Sequence, residues 1–141
     1  MDKLLMALVA VALLILFGWT VSMRKEKINS ENGDYVIGKY NRITAKEAKE
    51  IMDTEEVIIL DVRTPQEYQE EHIEGALLIP DYDLSSLADS KLPNKDEKIL
   101  IYCRSGSRSR GAAKVLIDMG YTNVHDFGGI MSWTYDKVKG E

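Results

Sequence analysis

The chain has 141 residues, 45% apolar and 29% charged, with only 3 Pro and 10 Gly, a composition that excludes disorder and allows one ordinary domain. Its net charge of −5 gives no reason to expect a nucleic-acid partner. The single cysteine, Cys103, excludes an intrachain disulfide, so the domain must stand on its core alone.

Charge is unevenly placed. Residues 1–30 carry four basic and two acidic groups, leaving 14 basic against 21 acidic groups, a balance of −7, in the remainder. Yet no acid lies between Glu97 and Asp118, a stretch that holds Lys98, Arg104, Arg108, Arg110 and Lys114. A basic island in an acidic domain points to a small anion rather than a long polyanion.

Residues 4–21 contain no charge, and Trp19 sits near their far end. At 1.5 Å per residue such a run can cross a hydrocarbon core of about 30 Å. Residues 1–23 read either as a transmembrane anchor or as a cleaved signal. The anchor is favoured because the run exceeds a usual signal core and Thr20-Val21-Ser22 is a poor cleavage site. Arg24, Lys25 and Lys27 outweigh Lys3 and the terminal amine, so the positive-inside rule leans toward a single-pass cell-membrane protein with its domain in the cytoplasm. Export after signal cleavage is the alternative. Residues 24–40 are polar, carry Asn32-Gly33 and read as a tether.

The folded domain is expected over residues 41–138. Thr44 and Glu47 form a capping box before apolar Ala48, Ile51 and Met52 at helical spacing. Residues 57–60 are a continuous apolar run, as in a strand buried on both faces of a parallel sheet, and Asp61 ends it. Thr64-Pro65-Gln66-Glu67 starts a short helix that Gly75 breaks. Residues 76–79 predict another short strand, stopped by Pro80, and Leu84 and Leu87 mark a further helical turn or two. Residues 98–102 predict a strand, and Cys103 to Ser109 a loop. Ser109 is expected to cap a helix carrying Ala112, Ala113, Val115, Leu116 and Met119 and closed by Gly120. Residues 123–126 suggest a last strand before Gly128-Gly129, and a final helix should hold Met131, Trp133 and Val138. Strands alternating with helices predict an α/β domain with a parallel sheet.

Cys103 then stands at the carboxyl end of a parallel strand, where ligands of such sheets collect. The loop places Gly106 among Ser105 and Ser107, with Arg104 and Arg108 on either side. Such a loop can turn its backbone N–H groups inward as an anion nest, and the following helix adds about half a positive charge. The arginines add full charges and bidentate donors. Together these favour thiolate over thiol and hold an anionic substrate.

Cys103-Arg104-Ser105-Gly106-Ser107-Arg108 resembles the active-site loop of the rhodanese family of sulfurtransferases. Leu60-Asp61-Val62-Arg63 with Glu67-Tyr68, then His72-Ile73-Glu74-Gly75-Ala76 with Ile79-Pro80, resemble the family's two upstream boxes, and Gly128-Gly129 with Trp133 its carboxyl-terminal feature. The resemblance implies a rhodanese-like fold, a five-stranded parallel sheet with helices on both faces. It also implies a catalytic Cys103 that takes a sulfane sulfur from thiosulfate or a similar small anionic donor as a persulfide. Cyanide or a thiol then accepts the sulfur, without metal or organic cofactor, in two half-reactions with ping-pong kinetics. A protein persulfide donor or acceptor is a further expected partner.

Arg104, Ser105, Gly106, Ser107 and Arg108 are the expected substrate-binding residues, the serines and glycine through their backbone N–H groups. Asp61 and Arg63 read as a supporting carboxylate–guanidinium pair that holds loops together. Arg110 reads as solvated, His72 and His125 as structural, and one Cys with two separated His residues gives no metal-ligand spacing. Two rival functions remain. A Cys-based phosphatase or arsenate reductase needs an arginine six residues after the cysteine, where this chain has Ser109. A persulfide carrier or interaction module keeps Cys103 without turning over thiosulfate.

Overall fold

The computed structural model describes residues 39–140; the expected membrane segment and nearly all of the tether lie outside them. Among the described residues no helix is long and apolar enough to cross a membrane.

Five strands, β1 (Lys39–Arg42), β2 (Ile58–Asp61), β3 (Leu77–Leu78), β4 (Ile99–Cys103) and β5 (Asn123–Gly129), form one sheet in the order β1-β5-β4-β2-β3. All four pairings are parallel. β1 begins two residues inside the expected tether. Tyr40 and Arg42, two apart and so on one side of a strand, both reach the buried Asp126 of β5, which draws this polar segment into the sheet.

The helices are α1 (Ala45–Thr54), α2 (Pro65–Glu70), α3 (Leu84–Lys91) and α4 (Ser107–Asp118). α1 and α2 each start with the capping box read from the sequence, Thr44 with Glu47 and Thr64 with Glu67. Each box satisfies backbone N–H groups that a helix start leaves without partners. α2 stops at Glu70, where Glu71 turns extended, several residues before the expected break at Gly75.

β4 runs through the centre, and all five of its residues are buried. Its side chains alternate between two cores. Ile99, Ile101 and Cys103 join Leu84, Ala88, Ala113 and Leu116 of α3 and α4 on one face. Leu100 and Tyr102 join Ala48 of α1, Phe127 and Trp133 on the other. Burying each such aliphatic side chain is worth about 2 kcal/mol, so β4 is fixed from both sides, and Cys103 shares a face with the helix that follows it.

The expected final helix is absent. A single 3-10 turn, Ile130–Ser132, precedes extended chain. Backbone groups there are spent elsewhere: Val138 exchanges hydrogen bonds of 2.8 and 2.9 Å with His72, and the Trp133 indole N–H donates to the Asp136 carbonyl.

Candidate active site

Cys103 is the last residue of β4 and is 1% exposed. Four residues on, at Ser107, the chain is already helical. Gly106 adopts φ +100°, a left-handed conformation that favours glycine, and acts as N-cap of α4. The expected cap, Ser109, lies instead inside the first turn. Because Gly106 has no side chain, no side-chain cap bonds the start of α4. Its first N–H groups and its positive dipole end stay available beside the cysteine. The Gly106 N–H itself donates to Cys103 Sγ at 3.0 Å.

The loop rests on Gly128-Gly129, whose second member pairs with Cys103 across the β4–β5 ladder. A Cβ on Gly129 would lie 2.1 Å from the Arg104 carbonyl oxygen, so no other residue fits while the loop keeps its path. Gly128, at φ +90°, packs its Cα against Gly106. Ser109 is fully buried; its Oγ donates to Asp126 Oδ1 at 2.8 Å and lies 3.2 Å from the Gly128 carbonyl oxygen. The Gly128 N–H donates to the same Asp126 oxygen at 2.9 Å. Asp126 Oδ2 accepts from Arg42 Nη1 at 3.0 Å and from the Tyr40 hydroxyl at 3.3 Å. One buried carboxylate therefore ties β1, the Gly128 turn and the first turn of α4 together. Arg42 and Asp126 are site residues that the sequence reading passed over. They belong to different strands, and Ser109, three residues after the loop glycine, read as a helix cap rather than as their partner.

The expected substrate-binding residues separate into two kinds. Arg104, Ser105 and Ser107 are exposed around the loop, with the Arg104 carbonyl pinned by the Met131 N–H at 3.2 Å. Arg108 is only half-exposed and makes a bidentate pair with Glu67, at 2.8 and 2.7 Å. The Arg108 contact, helped by hydrogen bonds from Thr64, holds Glu67 down at about 2. Glu67 in turn raises Arg108, with Cys103 adding in the same direction. The basic island is thus partly neutralised by acids distant in sequence: Lys98 pairs with Glu55 and Arg108 with Glu67, while Lys114 bonds Asp118. Among the described residues Arg104 has no ion-pair partner.

On the neighbouring strand, Asp61 and Arg63 form a sealed unit, 0% and 3% exposed. Arg63 Nε lies 3.0 and 3.1 Å from the two carboxylate oxygens, and Nη2 donates to Oδ2 at 2.7 Å and to the Glu71 carbonyl at 2.7 Å. Burial works against the guanidinium charge, but Asp61 outweighs it and raises Arg63. Burial, with Asp61 next to it, also pushes the Tyr102 phenol up, and its hydroxyl oxygen accepts from the Ile73 N–H at 3.1 Å. Asp61 and Arg63 therefore support the ends of β2 and β4.

His72 is buried, stacked on the Tyr68 ring, with Nδ1 2.8 Å from the Tyr68 carbonyl oxygen. His125 Nε2 lies 2.8 Å from Asn123 Oδ1. Among the described residues no cluster of His, Cys, Asp and Glu could hold a metal ion.

A cysteine at the centre of the carboxyl edge, under a glycine N–H and at an open helix start, is a site for nucleophilic chemistry on an anion. The Rhodanese-like domain model matches residues 44–136, which include every one of these features. The chain belongs to the rhodanese-like domain family. Among rhodanese-like relatives, it is 38% identical over 81 residues to the thiosulfate sulfurtransferase PspE of Escherichia coli, covering 57% of this chain and 78% of that one. It is 32% identical over 95 residues to the thiosulfate sulfurtransferase GlpE of Pseudoalteromonas translucida, covering 67% and 89%. A solved structure described as a rhodanese with anions from E. coli superposes with a TM-score of 0.57 at 36% identity, covering 60% of this chain and all of that one. The rhodanese-like fold with its five-stranded parallel sheet is therefore shown, and the relatives support sulfur transfer as the class of activity.

Proposed function

We propose that the chain moves a sulfane sulfur from thiosulfate or a similar small anionic donor to cyanide or a thiol, through a persulfide on Cys103. The observation that carries this reading is the Gly106 N–H at 3.0 Å from Cys103 Sγ, at the uncapped start of α4. A hydrogen bond to a charged acceptor is worth about 1.5–3 kcal/mol, and this one favours a sulfur anion both before and after it carries the transferred atom. In the first half-reaction the Cys103 thiolate attacks the outer sulfur of thiosulfate. A new S–S bond forms, the donor's S–S bond breaks, and its electron pair leaves on sulfite. In the second, the acceptor attacks the outer sulfur of the persulfide, and the electron pair of the breaking bond returns to Cys103. Electrons balance without an added oxidant or reductant, and no step needs a cofactor.

Arg104 and the N–H groups of Ser105, Ser107 and Arg108 are the donors we assign to the anionic donor. The phosphatase reading loses further ground. The position where it needs an arginine holds Ser109, buried against Asp126. A protein persulfide donor or acceptor is compatible with the same Cys103 chemistry. For location, we propose that residues 4–21 anchor the domain as a single-pass span with the domain in the cytoplasm, the alternative being export after signal cleavage. The uncharged run and the basic cluster behind it support this. Membrane fractionation followed by protease access from each side separates these two outcomes.

The activity is tested by thiocyanate formation from thiosulfate and cyanide. Parallel lines in double-reciprocal plots at varied cyanide, with no turnover by Cys103→Ser, are expected; intersecting lines, or an active serine variant, would contradict the covalent route.

A further inference from the structure

On the face of the sheet opposite Cys103, a groove of about 530 Å³ opens between α1, the turn at Ile73-Glu74 and the extended chain after the 3-10 turn. Its floor is apolar, made by Met52, Ile59 and Ile73. Trp133 and Tyr135 form one wall, with ring centroids 4.9 Å apart and planes at 65°. The charged lining is unbalanced: Lys49 alone stands against Asp53, Glu74 and Asp136. Lys49 is already in use. Its ammonium group pairs with Asp53, one helical turn away, and lies 5.8 Å from the centre of the Tyr135 ring. Glu74 and Asp136 are exposed, and among the described residues neither carboxylate has an ion-pair partner. The groove thus already seats one organic cation of the protein's own, an aliphatic stem whose head meets a ring and a carboxylate, and has two carboxylates left over.

We infer that this groove binds a small organic dication with an aliphatic stem, of the alkyl diamine class. Its methylene chain lies over the apolar floor, and its two ammonium groups meet Glu74 and Asp136 beside the aromatic wall. Each part of the lining selects one part of such a molecule. The floor takes methylene groups out of water while the charged ends stay wet. Aromatic faces attract cations that come within about 6 Å of them. The surplus of negative charge rejects anions, thiosulfate among them. The volume falls in the range of small-molecule sites. No bond is made or broken, and the inference stands apart from the sulfur-transfer reading, because the groove and Cys103 belong to opposite faces of the sheet.

The test titrates 1,5-diaminopentane at constant ionic strength into the full-length chain carrying Trp19→Phe, in which Trp133 is the one remaining indole. Pentylamine and 1-pentanol serve as the singly charged and neutral comparisons. A saturable change in Trp133 fluorescence is expected with the diamine, roughly fivefold weaker binding with pentylamine, and none with pentanol. In the same background Glu74→Gln and Asp136→Asn should each weaken the diamine roughly fivefold. Lys49→Gln should tighten it about threefold by freeing Asp53 and the Tyr135 ring. Lys46→Gln, on the same helix but outside the groove, should leave it unchanged, which separates the groove from net charge. Cys103→Ser should bind as the parent does. No saturable change, or equal diamine affinities in the parent, Glu74→Gln and Asp136→Asn, would overturn the assignment. Loss of binding in Cys103→Ser would place the diamine at the cysteine loop and overturn it equally.

Discussion

Two arginine–carboxylate pairs stand near neighbouring strand ends, and they differ in what they can do. Asp61 and Arg63 are two residues apart, buried, and bound to each other, with the Glu71 carbonyl accepting a further hydrogen bond from Arg63. Glu67 and Arg108 are 41 residues apart, and their side chains are 21% and 31% exposed. The first pair cannot exchange partners without placing a bare charge in the core, so it sets geometry. The second faces the mouth of the site, where an incoming anion can compete with Glu67 for Arg108. The same residue types hold the fold in one place and tune the site in the other, and burial decides which.

The largest effect should come from the sealed pair. Asp61→Ala leaves the Arg63 guanidinium buried without its counter-charge and should cost about 3–5 kcal/mol in chemical denaturation; a loss near 1 kcal/mol would break the distinction between the two pairs. Gly129→Ala should follow, at about 2–3 kcal/mol, because a methyl group 2.1 Å from the Arg104 oxygen must displace backbone. Its turnover should fall further than its stability alone explains, read as specific activity of the folded fraction.

Glu67→Gln sharpens the comparison. It should cost about 1 kcal/mol or less at neutral pH and lower KM for thiosulfate by releasing Arg108. Glu67 titrates lower in the folded protein, about 2, than its ordinary 4.5. Its contribution is therefore complete above about 4.5 and is lost as pH falls toward 2. The melting-temperature gap between wild type and Glu67→Gln should close over that window; a constant gap would detach the pair from stability. The smallest change is expected for Arg42→Gln. Arg42 is half-exposed, and Asp126 keeps Ser109, the Gly128 N–H and Tyr40. Stability should move by less than about 1 kcal/mol, while kcat falls a few-fold with KM for thiosulfate unchanged, because the guanidinium steadies the Gly128 turn under the loop.

What was legible in the sequence was local. Thr44 with Glu47 and Thr64 with Glu67 each lie within one helical turn, so their capping boxes could be read directly. The apolar run ending at Asp61, and a cysteine closing another such run, marked two buried strands and the edge where they meet a ligand. What was not legible depended on which distant strands become neighbours. Nothing in residues 39–42 announces an edge strand beside β5, and without that pairing Arg42 and Asp126 are two unrelated surface charges. Ser109 looked like a helix cap because serine favours that position. The glycine at 106 could take a positive φ and start the helix earlier, which freed Ser109 for Asp126. The apolar spacing of Met131, Trp133 and Val138 suggested a helix, but each serves a different contact: a cleft wall beside Arg104, the core and the bridge to His72.

The central claim, that Cys103 receives the sulfur, is tested most directly by intact-mass spectrometry of the chain after thiosulfate treatment, with Cys103→Ser alongside. The account predicts a gain of one sulfur atom on the wild-type chain alone, removed by cyanide. An unchanged mass with thiosulfate, polysulfide and protein persulfide donors alike, or an equal gain on the serine variant, would contradict it.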